Sequence, residues 1–455
     1  MLTPHQEEKR QSLTEILKKE NFAVLEGSAG VGKTYMVNEF ISMLPKELKK
    51  GNIVCAAPTH KALAVLVSKI DTEESIKFKT LDSLLCYRAV TNNKTGKREF
   101  VSKPNPMYPP LEGVGLLIID EASMVGVQKH IDLCKYAERE GTKVLMIGDV
   151  KQLNPVKEED SPVFMGLPEV LDKGLYTSSD VVSYEDFDVI YTKFPTVTLT
   201  EIIRQGEGNP IIDFSRNLDK RVQSDLYDAK EDENGNLIGL LATRNYNKVL
   251  EELALENGTD NVKFIAWSNK EVDSVNKLVR KIIYGSPNKI EKNESIVFNS
   301  PYGEDYKTNQ ELKVNTLEII NRPFKVIFAD NSNIVKKDIQ EVTFKIYLVN
   351  RNEIPVIILH EDSEKEFAHV LKVLRANARE RLLNFTTLNT FLDLFADFKY
   401  NHAMTVHKSQ GSSFKKAIVY YDNIMLNRNE KERKRLLYTA VTRASELLIL
   451  YKNNL

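Results

Sequence analysis

The chain has 455 residues, too many for one ordinary domain, and its length predicts two to four domains. Its 63 basic and 64 acidic residues leave a net charge of -1, which excludes a global basic field, so any nucleic-acid site must be a local groove. The three cysteines form no C-x-x-C pair, the N-terminus lacks a signal peptide and no apolar run approaches the ~18 residues of a membrane span, so we expect a soluble, cytoplasmic protein without a membrane partner.

The first predicted element is an amphipathic helix from Thr3 to Lys19 that carries Gln6. A carboxamide can both donate to and accept from an adenine base. A glutamine on such a helix is ordinarily a surface residue, but its position shortly before the next motif favours a nucleotide-binding role.

That next motif organises the chain, because it fits the pattern G-x-x-x-x-G-K-[ST] of a phosphate-binding loop. An apolar run from Phe22 to Leu25 precedes it as a buried strand, and a helical run from Tyr35 to Leu44 follows it. This context disfavours a merely glycine-rich turn, because backbone N–H groups and a helix N-terminus would surround a phosphate. Lys33 would reach the β/γ-phosphates and Thr34 would offer its hydroxyl to Mg²⁺. The candidate nucleotide-binding residues are Gly27, Ser28, Ala29, Gly30, Val31, Gly32, Lys33 and Thr34.

Small polar residues follow the next predicted strands. Thr59 and His60 come after a buried strand over 53–57, and Thr80 lies in a second small hydroxyl cluster. Such strand ends carry function in open α/β sheets, although capping of the following helix is the favoured interpretation of such a threonine taken alone.

Residues 87–110 interrupt the α/β rhythm. Two short β segments, 88–91 and 98–101, flank a basic turn that contains glycine, and this pattern predicts a hairpin. Phe100 on the second segment could stack on an end base pair or pack against another domain. A merely tolerated surface hairpin is the alternative.

A pair of acids ends the next apolar strand, Leu116 to Ile119. Adjacent carboxylates at a buried strand end are costly unless charge compensates them, and Mg²⁺ would do so. We expect Asp120 to hold the metal through water and Glu121 to polarise the attacking water. The strand from Lys143 to Gly148 then leads to Gln152, which is placed to touch the γ-phosphate or its water, with a polar turn as the alternative.

A second α/β unit is predicted after an acidic, irregular stretch at 157–198. It starts with Val197 to Glu201, which leads to Arg204, and it continues with a strand from Val262 to Trp267. Trp267 and Phe414 are candidates for stacking on bases, with core packing as the alternative for Trp267. Two late polar blocks, Thr405–Phe414 and Leu436–Ala444, precede the predicted strands Lys416–Tyr421 and Glu446–Tyr451.

The stretch from 285 to 400 interrupts this second unit and is rich in β segments. A turn at 321–323 separates the first two of them, and helical stretches near 362–384 and 386–397 follow the last. We therefore expect a small inserted β-barrel with a helical return. The predicted strands are Leu312–Ile320, Phe324–Ala329, Glu341–Val349 and Ile354–Leu359.

Six segments together resemble the motifs of superfamily 1 helicases, most nearly the Dda-like members of the RecD-like branch. They are GSAGVGKT, AAPTHKA, LLIIDEASM, GDVKQLNPV, TVHKSQGSSF and LYTAVTRA. The resemblance implies an α/β fold of two RecA-like P-loop domains, with a β-hairpin insertion in the first and an SH3-like β-barrel insertion in the second. The implied ranges are 1–86 and 112–198 for the first domain, 87–111 for the hairpin, 199–284 and 401–455 for the second domain, and 285–400 for the inserted domain.

The resemblance also implies a role for each candidate residue. Around the nucleotide it implies Gln6 beside adenine, Gly411 in the nucleotide site, Lys33, Thr34, Asp120 and Glu121 as the hydrolytic centre, Gln152 as the γ-phosphate sensor, and Arg204 and Arg443 as arginine fingers. Along the DNA path it implies Thr59, His60, Thr80, Thr405 and His407, and it makes the hairpin that carries Phe100 the strand-separating element.

The expected activity is ATP- and Mg²⁺-dependent translocation on single-stranded DNA, with unwinding of forked or tailed duplexes in replication, recombination or repair. The 5′→3′ direction rests on the resemblance alone. We expect a monomer, with replication or recombination proteins as partners. Two alternatives remain: a motor subunit of a nuclease complex, and an ATP-dependent remodeller of single-stranded nucleic acid that does not unwind.

Overall fold

The computed structural model describes residues 2–92, 95–105, 107–155, 158, 160–170, 189–201, 210–218, 229–231, 237–256, 261–330 and 336–452. Within these ranges the core of the protein contains two six-stranded sheets, in which nearly all strand pairs are parallel. Smaller antiparallel sheets lie outside them. Among the described residues, no helix combines the length and apolarity that crossing a bilayer requires.

The first sheet and its insertions occupy the N-terminal part of the chain. The elements are α1 (Pro4–Lys19), β1 (Phe22–Gly27), α2 (Lys33–Ser42), β2 (Asn52–Ala57), α3 (His60–Lys69), β3 (Ile76–Thr80), α4 (Leu81–Leu84), β4 (Tyr87–Thr91), β5 (Arg98–Ser102), β6 (Val114–Ile119), α5 (Val127–Glu140), β7 (Lys143–Gly148), α6 (Pro162–Met165), β8 (Leu167–Val170), β9 (Val189–Thr192) and β10 (Thr196–Leu199). The strands of the first sheet run in the order β10-β1-β7-β6-β2-β3, and every pairing is parallel.

The second sheet and the region inserted into it occupy the rest of the chain. The remaining elements are α7 (Pro210–Arg216), β11 (Lys230–Glu231), β12 (Leu237–Thr243), α8 (Tyr246–Glu256), β13 (Val262–Ala266), α9 (Asn269–Tyr284), β14 (Ser295–Phe298), β15 (Glu311–Lys313), β16 (Leu317–Asp330), β17 (Lys336–Val349), β18 (Val356–Leu359), α10 (Glu364–Arg379), α11 (Phe385–Leu392), β19 (Phe398–Tyr400), β20 (Ala403–Thr405), α12 (Val406–Ser409), β21 (Phe414–Tyr420), α13 (Tyr421–Met425), α14 (Glu430–Val441) and β22 (Ala444–Tyr451). The second sheet has the order β11-β12-β22-β21-β13-β20 and is parallel apart from the β11–β12 pair.

Local sequence explains the ends of several elements. Thr3 and Gln6 form a reciprocal capping box at the start of α1, with Pro4 in the first helical position. The central strands are almost wholly buried because helices cover both faces of the sheet, as parallel sheets require. This is the predicted α/β architecture of two RecA-like domains.

The strand at 196–199 corrects the expectation that Val197 begins the second unit. β10 pairs in parallel with β1, with Val197 opposite Leu25, so it is one of the two edge strands of the first sheet among the described residues. Its partner lies far away in the sequence, and a local pattern carries no information about that pairing.

In its described residues the inserted region forms two three-stranded antiparallel sheets, β15-β14-β19 and β16-β17-β18. The predicted turn at 321–323 is wrong, because β16 runs unbroken through Pro323, which lies opposite Thr343. Proline is tolerated there because β16 is an edge strand of its sheet among the described residues. The predicted strand over 312–320 is instead split between β15 and β16. The SH3-like barrel stays a prediction.

The chain leaves the second sheet after α9 and returns to it at β20. Phe264 of β13 pairs with Ala403 of β20, so the chain rejoins the second sheet beside the strand that precedes α9. The predicted hairpin is also present, because β4 and β5 pair antiparallel with Ala89 opposite Phe100. Lys94, part of its basic turn, lies outside the described residues.

Candidate nucleotide and DNA site

The P-loop connects β1 to α2 in the predicted strand–loop–helix order. Gly30 and Gly32 have φ values of 85° and 75°, a region that favours glycine. A side chain at Gly27 would come within 2.7 Å of Val31 Cγ2, so only glycine fits the start of the loop. The Lys33 ammonium donates to the Gly27 and Ser28 carbonyls at 2.6 Å and 3.1 Å, which holds it against the loop.

The acid pair lies directly after β6, beside the P-loop. The Glu121 N–H donates to Asp120 Oδ1 at 2.9 Å, and Glu121 has a left-handed backbone with φ of 51°. Such a conformation is strained for a glutamate and is found preferentially at functional sites. Burial raises the pKa of both carboxyls, and Asp120 raises that of Glu121 further, whereas the nearby Lys33 charge lowers both pKa values. A bound cation would relieve this cost of burial.

One cavity of about 300 Å³ brings these groups together with residues of the second sheet. Gln152, on the loop after β7, is 5% exposed, and its Oε1 has no hydrogen-bond partner among the described residues. An unsatisfied buried carboxamide oxygen favours a polar ligand in this cavity. The predicted residues that line it are Ser28, Ala29, Gly30, Val31, Gly32, Lys33, Thr34, Asp120, Glu121, Gln152, Gly411 and Arg443.

Arg443 enters this cavity from the turn after α14. Its guanidinium donates to the carbonyls of Thr439 and Ser412, both at 3.0 Å, and to the Thr442 hydroxyl at 3.2 Å. These contacts satisfy hydrogen-bond donors of the buried guanidinium and fix its position. The positive charge of Arg443 opposes the effect of burial on the pKa of Glu121. The second predicted finger, Arg204, lies outside the described residues.

Gln6 does not line the cavity wall. It is 1% exposed, its Oε1 accepts from the Thr3 N–H at 3.2 Å, and its Nε2 donates to the Val31 carbonyl at 3.4 Å. The carboxamide therefore caps α1 and braces the P-loop in this structure.

The cation predicted at Thr34 and Asp120 has suitable donors, because both side chains line the cavity and offer the oxygen ligands that Mg²⁺ prefers. Within the described ranges, no cluster of three or more His, Cys, Asp or Glu side chains could hold a metal unaided. A cation there would therefore also need oxygens from water or from a nucleotide.

Three candidate DNA contacts share one local role. Thr59, Thr80 and Thr405 each follow or end a parallel strand and cap the next helix, accepting from Ala62, Ser83 and Lys408 N–H groups at 3.1, 3.2 and 3.3 Å. Each of these hydroxyls therefore caps a helix in this structure, and its contact with DNA stays a prediction. His60 is exposed at the start of α3, and His407 is partly buried in α12.

Two aromatic candidates can now be placed. Phe414 is 1% exposed in the core of the second sheet, so the prediction that it stacks on a base is wrong. Its position at the start of β21 points the ring inward, which the sequence pattern did not reveal. Trp267 is partly buried and packs against the same core, in agreement with the packing alternative.

Phe100 is 59% exposed on β5, and other residues attach the hairpin to the inserted region. The Arg98 guanidinium pairs with Asp393, and Asn389 donates to the Thr91 hydroxyl at 2.8 Å. At Gly96, an added Cβ would lie 2.5 Å from the Phe385 ring, so glycine permits a close approach to α11.

Sequence reasoning missed a set of contacts that join the two sheets across the cavity. The Tyr438 hydroxyl donates to Asp149 Oδ2 and accepts from the Ala29 N–H. The Leu153 N–H donates to the Thr439 hydroxyl. These residues belong to the P-loop, GDVKQLNPV and LYTAVTRA segments, and that membership is the signal that could have found them.

Two protein-family models match the chain: an AAA domain over residues 2–165 and a UvrD-like helicase C-terminal domain over residues 400–451. The chain is 26% identical to an uncharacterized protein, R530, of Acanthamoeba polyphaga mimivirus, over 93% of each sequence. It is 25% identical to the ATP-dependent DNA helicase dda of Enterobacteria phage T4, over 94% of each. Among solved structures, the Pif1 helicase from Candida albicans matches with a TM-score of 0.46 and 17% identity, over 100% of this chain and 95% of that one. The two family models and the end-to-end relatives make this chain similar to superfamily 1 helicases of the Dda-like branch, in agreement with the six sequence motifs.

Proposed function

We propose that this protein is an ATP-dependent DNA helicase that translocates on single-stranded DNA in the 5′→3′ direction and unwinds duplex DNA. One observation carries the proposal: a single cavity contains the P-loop and acid pair of one RecA-like sheet and Arg443 of the other. A site completed by two domains can convert nucleotide binding and release into domain closure and opening. The helicase name of the phage T4 relative supports this activity.

The residues of the cavity suit phosphoryl transfer from ATP to water. The P-loop amides and Lys33 would hold the β- and γ-phosphates, and Glu121 would orient the water and accept its proton. Thr34 and Asp120 would hold Mg²⁺, which neutralises charge that develops on the phosphate oxygens. Arg443 would stabilise the same charge from the opposite side.

Gln152 and Gly411 complete this assignment. The unsatisfied Gln152 Oε1 would meet the attacking water or the γ-phosphate region, and Gly411 would let the backbone approach the nucleotide. A side chain at Gly411 would lie 3.0 Å from Ala62 Cβ, so a larger residue would also crowd the contact between the domains. Arg204 would be the second arginine finger, and Gln6 would lie near the adenine base.

DNA would cross the strand ends that carry the five polar candidates, with hydroxyls and imidazoles bonding phosphate oxygens. They are Thr59, His60, Thr80, Thr405 and His407. Because each threonine also caps a helix, its replacement by alanine would cost about 1 kcal/mol of stability, so DNA binding must be compared at temperatures where each variant is folded.

The hairpin would act as the pin that splits the duplex while the motor pulls one strand. Its attachment to α11 through Arg98 and Thr91 supports this role, because a separating element must resist force. We propose the same four ranges for the domains as the motif order implies: 1–86 with 112–198, 87–111, 199–284 with 401–455, and 285–400. Residue 199 is the exception to these ranges, because the strand 196–199 pairs with β1 and therefore belongs with the first domain.

The deciding experiment measures ATP hydrolysis with and without single-stranded DNA, and then unwinding of duplexes with a 5′ or a 3′ tail. We expect hydrolysis to require Mg²⁺ and to rise with single-stranded DNA, and only the 5′-tailed duplex to be unwound. Unwinding of only the 3′-tailed duplex would overturn the direction. DNA-stimulated hydrolysis with no unwinding of either substrate would favour a remodeller.

A further inference from the structure

Tyr438 contacts the first sheet across the cavity, although the sequence motifs predict no role for it. Its hydroxyl accepts from the Ala29 N–H at 3.0 Å and donates to Asp149 Oδ2 at 2.7 Å. Tyr438 is 3% exposed and Asp149 is 2% exposed, so water does not compete for these bonds. Burial, followed by the Asp149 charge, raises the pKa of Tyr438, and the phenol therefore stays a donor at neutral pH.

Two further bonds hold the far end of the loop that begins at Asp149. The Leu153 N–H donates to the Thr439 hydroxyl at 3.2 Å, and Gln410 Nε2 donates to the Leu153 carbonyl at 3.3 Å. Gln152 lies between these anchors, with its carboxamide in the nucleotide cavity. The second domain thus holds this loop on both sides of Gln152.

The same end of α14 carries Arg443. Its Nε donates to the Thr439 carbonyl at 3.0 Å, and the Thr442 hydroxyl donates to the Tyr438 carbonyl at 2.9 Å. The turn that presents the arginine is therefore built on the two residues whose side chains contact the first domain. A displacement of Tyr438 would move the guanidinium relative to the P-loop.

We propose that the Tyr438 hydroxyl is a positioning group that sets the place of Arg443 against the P-loop, through its bonds to Ala29 and Asp149. This inference rests on the proposed function, because it assumes that Arg443 acts in ATP hydrolysis. The hydroxyl does not itself touch the transferred phosphoryl group. It acts because a misplacement of a catalytic group by ~1 Å can cost on the order of 10²-fold in rate.

The first test is Tyr438→Phe, which removes the hydroxyl and keeps the ring. We expect kcat for DNA-stimulated ATP hydrolysis to fall about tenfold or more, with KM for ATP changed by less than about twofold, because alignment is lost but ground-state binding is kept. The matched control is Tyr347→Phe, which also loses a phenol-to-carboxylate bond, to Glu361 at 2.8 Å, within the inserted region. We expect the control to retain the wild-type kcat.

The second test combines Tyr438→Phe with Arg443→Ala. If the hydroxyl acts through the arginine, the double variant should hydrolyse ATP within about twofold of the Arg443→Ala rate, since positions that act as a unit are not additive. A purely structural effect of Tyr438 would lower the rate by the same factor in both backgrounds. Thermal unfolding of all variants shows whether each is folded at the assay temperature.

Each outcome decides the question. A Tyr438→Phe kcat equal to that of wild type overturns the positioning role, as does a rise in KM alone, which would make Tyr438 a ligand of the nucleotide. Additive losses in the double variant overturn it as well. If the wild-type protein hydrolyses no ATP in the presence of DNA, the proposed function itself falls and the positioning role falls with it.

Discussion

The Arg98 guanidinium on the hairpin forms an ion pair with the Asp393 carboxylate beside α11. This pair joins two insertions that are distant in the sequence and that interrupt different parallel sheets. Because both side chains are about half exposed, the pair contributes little to folding stability, on the order of 0–1 kcal/mol. We expect the pair to fix the position of the hairpin, because it connects the hairpin to the inserted region.

Reversing one charge of this pair should uncouple unwinding from hydrolysis. We expect Arg98→Asp to lower the unwinding rate several-fold, because like charges would push the hairpin away from Asp393. DNA-stimulated ATPase activity should remain. The double variant Arg98→Asp/Asp393→Arg restores opposite charges and should recover unwinding. A double variant as slow as the single one would show that the pair does not brace the hairpin.

Lys33→Ala should abolish ATP hydrolysis and leave binding of single-stranded DNA intact. The ammonium lies against the Gly27 and Ser28 carbonyls inside the P-loop, away from the strand ends proposed for DNA. Fluorescence anisotropy with a labelled oligonucleotide and a phosphate-release assay measure the two properties. The control is Lys46→Ala, at an exposed lysine beyond α2. Loss of DNA binding with normal hydrolysis would mean that the site is misassigned.

Glu121→Gln should still bind ATP with Mg²⁺, because Asp120 and Thr34 remain, but should turn over at least ~10²-fold more slowly. Single-turnover hydrolysis and nucleotide titration separate the two effects. A variant with nearly normal turnover would exclude Glu121 as the base.

The same substitution should change stability in a pH-dependent way. Burial raises the folded-state pKa of Glu121 above its ordinary value of 4.5, so ionisation at higher pH costs the folded protein free energy. Glutamine removes that cost. In the absence of nucleotide, the variant should therefore unfold at a higher temperature than wild type at pH 8, and the difference should shrink as pH falls toward 4.5. A difference that is constant with pH would contradict the assignment.

Arg443→Ala should cut kcat by on the order of 10³-fold and leave nucleotide affinity largely intact, because an arginine finger acts on charge that develops in the transition state. Titration with a fluorescent nucleotide measures affinity, and steady-state hydrolysis measures kcat. Lys434→Ala, on the exposed side of α14, is the control for loss of a cation on the same helix. A change confined to affinity would make Arg443 a ground-state ligand.

Phe100→Ala should lower duplex unwinding while translocation on single-stranded DNA and ATPase activity continue. The ring is 59% exposed and is free to stack on the terminal base pair at a fork. Tyr108→Ala tests a second exposed aromatic, 67% accessible, in the segment that follows the hairpin. Equal loss of all three activities in Phe100→Ala would indicate damaged folding, and unchanged unwinding would leave the aromatic ring without a role.

The parts of the nucleotide site that are local in the chain were predictable from the amino-acid sequence. A P-loop is recognisable because the chemistry needs glycine, lysine and threonine at fixed spacing between a strand and a helix. Asp120 and Glu121 stood out because two acids ended an apolar strand. The hairpin was also predictable, since a turn joins segments that are neighbours in the chain.

Contacts between segments that are distant in the sequence became visible only in the fold. The local sequence around Val197 predicts a strand but does not indicate which sheet it joins. Its parallel pairing with Leu25 assigns it to the first sheet. Phe414 was a candidate for stacking on a base because it is an aromatic residue next to a polar motif. Its burial in the core of the second sheet excludes that contact. The bonds from Tyr438 to Ala29 and Asp149 join three separate motifs. Strand pairing, burial and hydrogen bonds between the two sheets all depend on partners that sequence spacing does not specify.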